Sequence, residues 1–257
     1  MPSETLTRLS KWIADSGYCS RRAACRLIEA GHVNVNGLPG KHTDRVSAND
    51  VIHVEQHLIQ PFPELEYQIY NKPVGIDCVC SEEDPDSIIH QLKGKQRVFP
   101  AGRLDKDSHG LLLLTNDGAL CQKILHPDFF HEKEYCVVVD KAITPLFCLQ
   151  MAQGVEYNGT RTRPCKIIQT DTHTFLITLT QGMNRQIRKM CRSLGYTVTH
   201  LQRTRLVNLQ LDGLSSGTFR DLTSEEVKTL KNTLRPNRPD ELQETAEAIS
   251  KQSSSGL

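Results

Sequence analysis

Two short stretches of the sequence are dense enough in charge to do chemistry. Residues 102–110, GRLDKDSHG, set two carboxylates, Asp105 and Asp107, among Arg103, Lys106 and His109. Residues 181–205 hold Arg185, Arg188, Lys189, Arg192, Arg203 and Arg205 and no acid. Two nearby carboxylates can ligate a hard cation, share a hydrolysis, or leave one of the pair free to act as a nucleophile. Asp105, Asp107 and Gly110 match positions one, three and six of a calcium loop. The match then fails, because His109 stands at position five and Asn116 at position twelve, where a bidentate glutamate is needed. A glycosidase would need its two carboxyl groups about 5 to 10 Å apart across the bond it cleaves. A nucleophile needs one carboxylate kept ionised, which an arginine turned inward from the basic stretch would do. The plainest alternative is a polar loop, since Asp, Ser and Gly collect in loops.

The elements that must position these groups follow from periodicity. LLLLT, directly after the acids, is a short apolar run ended by Asn116, Asp117 and Gly118, which predicts a buried strand closed by a turn. Over 184–194, Ile187, Met190, Cys191 and Leu194 share one helical arc, and Arg185, Arg188, Lys189 and Arg192 the opposite one. One face packs and the other is suited to phosphates. Further strands are predicted in 65–73, 134–140, 165–170 and 174–180, and helices near 118–125, 145–153 and 223–232, the last with Thr223 and Glu226 at capping-box spacing. This irregular order predicts an α+β domain rather than repeated βαβ units.

The first sixty residues form a separate pattern. Leu6, Leu9, Trp12 and Ile13 share one face of a short helix, and Ser20 caps a second helix over 21–30. On that helix Ala24, Cys25, Leu27 and Ile28 lie on one arc, with Arg21, Arg22 and Arg26 on the other. HVNVNG follows as an alternating strand into an Asn36-Gly37 turn, and NDVIHV supplies a later strand. The segment HLIQPFPELE reads as a linker, and the polar stretch after Pro236 as a mobile tail.

The net charge of +1 argues against an indiscriminate polyanion binder, so the clustering of the basic residues carries the signal. Nine cysteines, an odd and scattered set, fit free thiols in a reducing cytoplasm; Cys78 and Cys80 read as a strand with small side chains. No stretch approaches the roughly 18 uninterrupted apolar residues of a membrane span, so no membrane partner is expected.

SRRAACRLIEAGHVNVNG (20–37) resembles the S4 RNA-binding domain over about residues 7–54. The stretches NKPVG (71–75), PAGRLDKDSHGLLLLTNDG (100–118), HEKEY (131–135) and QGMNRQIRKM (181–190) follow the order and approximate spacing of the RsuA-type pseudouridine synthases. The resemblance implies a small S4 (αL-type) RNA-binding domain over 7–60, a linker over 61–65, a catalytic domain over 66–235 with a mixed, mainly antiparallel central sheet flanked by helices, and a tail over 236–257. It makes Asp105 the catalytic aspartate, Tyr135 the residue stacking on the target base, and Arg188 the basic partner of Asp105. Arg103, Leu104, Lys72 and Arg185 are then substrate contacts, with Lys72 and Pro73 shaping the pocket wall through their KPxG motif. Arg21, Arg22, Arg26, Lys189 and Arg192 are the RNA-binding set. Val79 stands where the family commonly has threonine, which removes a hydroxyl contact.

The resemblance further implies isomerisation of uridine to pseudouridine. RLDKDSHG, HEKEYCVVVDKAIT, NRQIRKMC and RTRLVNLQLDG are more similar to the branch acting on 23S ribosomal RNA than to the small-subunit enzyme, with transfer RNA a second possible substrate. Such a reaction moves no electron and donates no group, so neither cofactor nor metal is expected, and a monomer suffices. Asp107 is expected to serve the loop, as a cap or through local amides. Two alternatives stand beside this. Tyr135 alternates with Val137 and Val139 and could simply face the core, and a catalytically silent RNA-binding factor would keep the same fold.

Overall fold

The computed structural model describes residues 6–60, 64–92 and 96–234. The expected tail and part of the expected linker lie outside the described residues.

In the amino-terminal part, α1 (Leu9–Asp15) and α2 (Arg21–Glu29) pack over a small sheet. Ser20 accepts a hydrogen bond from the Ala23 N–H, satisfying one of the unpaired amides at the start of α2. The sheet runs in the order β2 (Leu38–Pro39), β1 (Val33–Val35), β3 (Ile52–Val54), β4 (His57–Leu58). Asn36 (φ 52°) and Gly37 (φ 82°) make the tight β1–β2 turn, a backbone that asparagine and glycine adopt at least cost. Leu9, Trp12, Ile13, Ala24 and Ile28 bury against Val33, Val46, Ile52 and Val54. Leu6 departs from expectation: it precedes α1, which begins only at Leu9, and is exposed.

The rest is built on a nine-stranded sheet among the described residues. Its strands are β5 (Tyr67–Lys72), β6 (His109–Thr115), β7 (Lys133–Val139), β8 (Lys166–Gln169), β9 (Thr174–Leu179), β10 (Val198–Leu206) and β11 (Phe219–Asp221), with two short strands paired at its margins. The order is β8-β9-β7-β10-β6-β5-β11; every pair is antiparallel except β10 with β6. Helices α3 (Gly118–Leu125), α4 (Pro145–Ala152), α5 (Gln186–Ser193) and α6 (Ser224–Thr233) complete it. The mixed, mainly antiparallel sheet expected from the resemblance is present.

The four leucines explain why β6 is central. Leu111 and Leu113 pack with Tyr67, Ile69, Leu120 and Ile124 on one face, while Leu112 and Leu114 pack with Tyr70, Cys78, Ile88 and Leu104 on the other. A strand covered on both faces carries a continuous apolar run instead of an alternating one. At its start Gly110 (φ +105°) lies so close to β10 that a Cβ would sit 2.4 Å from the Arg203 carbonyl oxygen, so only glycine lets the two strands meet there. The segment around Cys78 and Cys80, expected as a strand, is a turn instead, because the Asp77 side chain accepts from the Val79 N–H at 2.8 Å. All nine cysteines are free.

Thr223 and Glu226 form the capping box their spacing predicts. Hydrogen bonds from Arg220 (2.8 and 2.9 Å), more than the Thr223 amide, hold the Glu226 carboxyl down at about 2. A carboxylate with a lowered folded-state pKa stabilises above its ordinary titration range and loses that contribution as pH falls. Glu226→Ala should therefore melt below the wild type at neutral pH, by about 1 kcal/mol after solvent screening, with the gap closing as pH approaches 2 in a thermal titration.

Candidate active site

The chain between Ala101 and Ser108 crosses the entrance of β6 and is held from three sides. Gly75 of the NKPVG stretch donates its N–H to the Lys106 carbonyl at 2.8 Å, and the Leu104 N–H donates to the Cys78 sulfur at 3.3 Å. From α5, Arg188 Nη2 donates to the Asp107 carbonyl (2.8 Å) and reaches Ser108 Oγ (3.4 Å), while its Nη1 donates to the Val198 carbonyl (3.1 Å). The loop is thus a rigid mount. Its cleft has a volume of about 800 Å³, within the range of small-ligand pockets, and Arg103, Asp105, Lys133, Tyr135, Gln181 and Arg185 are among its lining.

The two acids are treated differently. A turn closed by the Ser108 N–H on the Asp105 carbonyl (3.0 Å) presents Asp107 to Arg188 on α5 and to Arg185, which stands just before α5 with a left-handed backbone (φ 52°). Arg185 grips both Asp107 oxygens (3.0 and 2.7 Å), and Arg188 Nε lies 3.4 Å from one of them. Hydrogen bonds from Arg185, reinforced by the charge of Arg188, hold the Asp107 carboxyl below its usual range. Asp105 is left with a side chain 31% exposed to the cleft and Arg185 Nη1 at 4.0 Å as its ion-pair partner. Neither of its carboxylate oxygens is hydrogen-bonded among the described residues.

This arrangement corrects three expectations. Arg188 does not pair with Asp105; its guanidinium is engaged by the loop main chain and Asp107, and Arg185 is the arginine nearest Asp105. Asp107 is not a cap; it serves the loop chiefly through Arg185, which takes both its oxygens, with its own backbone N–H a minor contact, and this leaves no second free carboxylate for a hydrolytic pair. Lys72, expected among the substrate contacts, is fully buried behind the pocket wall and donates to the Pro73 carbonyl (2.8 Å).

Other expected residues fall as follows. Tyr135 belongs to the same stripe as the buried Val137 and Val139, so the core-facing reading is half right; at the end of that stripe the ring emerges, half-buried, into the cleft. It pairs with Ile177 on one side and Arg203 on the other, next to a bulge at Glu134/Tyr135 that alters the direction of the strand. Leu104 is buried at the cleft wall, and Arg103 is exposed on its lining. On α2, Arg21, Arg22 and Arg26 are exposed, as is Arg192 on α5. Lys189 is turned partly inward, bonded to Asn184 Oδ1 (3.3 Å) and 5.8 Å above the Tyr157 ring.

The basic stretch is less of a phosphate surface than its composition suggests. Its carboxy-terminal part is β10, a strand not expected from the sequence, in which Arg203 is 3% exposed and donates Nε to the Leu111 carbonyl (2.7 Å). Arg205 is paired with Glu132 (2.8 Å) and Glu134 (3.8 Å). Lys133, a cleft residue overlooked in the sequence, sits two positions before Tyr135 and so on the same strand face, which alternation alone could have revealed. Burial, helped by the charge of Arg203, pushes its amine down to about 8.

A model of RNA pseudouridylate synthases matches residues 66–193, and an S4-domain model residues 7–52. The dual-specificity RNA pseudouridine synthase RluF of Salmonella typhi is 48% identical over 229 residues, covering 88% of this chain and 79% of that protein. The chain belongs to the RNA pseudouridylate synthase family. The RluF of Escherichia coli K12 is 44% identical over 245 residues, covering 93% of this chain and 84% of that protein. A crystal structure of a pseudouridylate synthase superposes with a TM-score of 0.65 at 30% identity, covering 87% of this chain and 99% of that one. The chain is therefore an RNA pseudouridine synthase of RsuA type with an amino-terminal S4 domain. Among the described residues, no helix is long and apolar enough to cross a membrane.

Proposed function

We propose that this pseudouridine synthase isomerises a specific uridine of 23S ribosomal RNA, with Asp105 as the nucleophile. The observation that carries the assignment is the unequal pair of acids. One carboxylate is committed to Arg185, and the other faces the cleft with no hydrogen bond of its own among the described residues. A stacked uridine must be flipped out before its reactive atoms can be reached, at a cost of about a few kcal/mol. Exposed Arg21, Arg22, Arg26 and Arg192 hold the deformed RNA by its phosphates, and Arg103 and Arg185 flank the extruded nucleotide.

Asp105 then attacks C1′ or C6, and the N1–C1′ bond breaks. The uracil, held against the Tyr135 ring, rotates until C5 bonds to C1′. As that bond forms, the bond to Asp105 breaks and frees its carboxylate; C5 loses its proton to solvent and N1, released from C1′, takes one up, so the product is an isomer. Arg185, 4.0 Å away, is the arginine that faces the attacking carboxylate. We further assign the S4 unit to 7–60, the linker to 61–65 and the catalytic unit to 66–235, acting as a cytoplasmic monomer without a cofactor.

The 23S assignment rests on likeness to the large-subunit branch. The relatives' name specifies dual specificity, for which transfer RNA is the second substrate to test. Pseudouridine mapping in 23S, 16S and transfer RNA from a strain lacking this gene should show loss at one 23S position, restored by the wild-type gene and not by Asp105→Asn. Loss confined to 16S or transfer RNA would overturn the 23S assignment, and no loss at all would favour a catalytically silent RNA-binding factor.

A further inference from the structure

Between α3 and β7 the chain builds a small aromatic outcrop that the chemistry at Asp105 does not use. Phe129 and Phe130 are 41% and 55% exposed, and the neighbouring Leu125, which lines the cleft, is exposed as well. Water-facing aromatic rings next to each other are uncommon on a surface unless something covers them. Phe130 is also held at φ 52°, ψ 30°, a left-handed backbone that a bulky side chain adopts only when its surroundings impose it. The surroundings here are visible. Arg163 lies over the Phe130 ring with its guanidinium carbon 4.3 Å from the centroid, and its Nη1 donates to the Pro127 carbonyl (3.1 Å), tying the turn down. Phe129 is stacked on His131 (5.8 Å, 21°) and tilted against His126 (5.4 Å).

The outcrop joins the cleft directly. The Arg163 N–H donates to the Gln181 side-chain oxygen (3.3 Å), and Gln181 lines the cleft that holds Asp105. Two arginines supply positive charge here: Arg163 over the Phe130 ring, and Arg103, which lines the cleft together with Leu125. Of the nearby acids, Asp128 faces His126 at 3.7 Å and Glu132 is paired with Arg205. Exposed rings backed by a guanidinium and flanked by cations are the means by which proteins hold unstacked bases of single-stranded nucleic acid.

We propose that Phe129, Phe130 and Arg163 form a stacking platform at the cleft rim that takes an unpaired nucleobase of the substrate RNA beside the flipped uridine. The proposal rests on the RNA substrate assigned above. It gives the enzyme a second grip on the deformed strand: once the target base has left the stack its neighbour loses a partner, and the platform replaces that partner.

Two measurements on the full chain test it. In steady-state tritium release from RNA labelled at uridine C5, Phe130→Ala and Phe129→Ala should each raise KM at least about fivefold with kcat little changed, and Phe130→Trp should restore KM. In binding titrations with a short single-stranded oligouridylate bearing one 2-aminopurine, the wild type should quench the fluorophore by stacking, Phe130→Ala should not, and Phe130→Trp should quench again. Circular dichroism melts guard against a folding defect, and Arg163→Gln, which removes the guanidinium over the Phe130 ring and its tie to the Pro127 carbonyl, should weaken the quench in the same direction. Equal quenching and equal KM in wild type and both alanine variants would overturn the platform. A wild type that releases no tritium would overturn the activity instead, and the fluorescence arm would still decide the platform.

Discussion

Asp105→Asn should lose at least about 10⁴-fold in single-turnover rate while RNA affinity changes little, because the substitution removes the nucleophile and none of the phosphate contacts. The asymmetry between the two acids makes the prediction specific. Asn at 105 keeps nearly the same volume and leaves the Ser108 to Asp105 backbone turn intact, so the mount should survive. The Arg185 grip on Asp107 does not pass through the Asp105 side chain and should survive as well. Filter binding with the labelled RNA would show whether affinity is retained, and a single-turnover tritium assay whether chemistry is lost. A variant that retained turnover within tenfold of the wild type would remove Asp105 from the nucleophile's role.

The second large effect is at Arg188, and it differs in kind. This side chain is only 15% exposed, and it satisfies the carbonyls of Asp107 and Val198 at once. Arg188→Ala should leave the part-buried Val198 carbonyl without its guanidinium and open the Asp107 carbonyl to water, lowering stability by about 1 to 3 kcal/mol. It should also let the loop drift, at a cost of about 10²-fold in kcat, since a displacement of an ångström is enough to misalign a reacting group. Arg188→Lys should recover only part of either loss, because an ammonium is a compact point charge where the guanidinium spans two separated acceptors. Denaturant melts paired with kcat and KM separate the two roles. If Arg188→Ala kept full stability and fell as far as Asp105→Asn, it would have to be returned to direct partnership with Asp105.

How much of this could be read from the sequence depends on the range of the interaction. The capping box at Thr223 and Glu226, the Ser20 cap, the Asn36-Gly37 turn and the leucine strand are local patterns, decided within a few residues, and they stand where expected. The division of α5 into an apolar and a basic arc is local too, although Arg185, expected on the basic arc, precedes the helix in a left-handed backbone. Which arginine of that arc meets which acid is not: Arg185 and Asp107 are 78 positions apart, and a turn of four residues at 105–108 decides the pairing. Arg203 failed for the opposite reason. Its charge read as surface, but β10 lies between β7 and β6, so a side chain of that strand could be drawn under its neighbours to cap a backbone carbonyl. Lys133 was legible from its spacing to Tyr135. Phe129 and Phe130 were not, because nothing periodic marks a turn whose rings stay outside.

The central claim is isomerisation at Asp105, and one assay tests it most directly. Purified protein, with no metal or cofactor added, is incubated with RNA carrying tritium at uridine C5, and the RNA is then digested to nucleosides. Tritium released to water and pseudouridine formed should rise together, one for one, in the wild type, and neither should rise in Asp105→Asn. Release of free uracil with abasic RNA, or tritium release unaffected by Asp105→Asn, would contradict it.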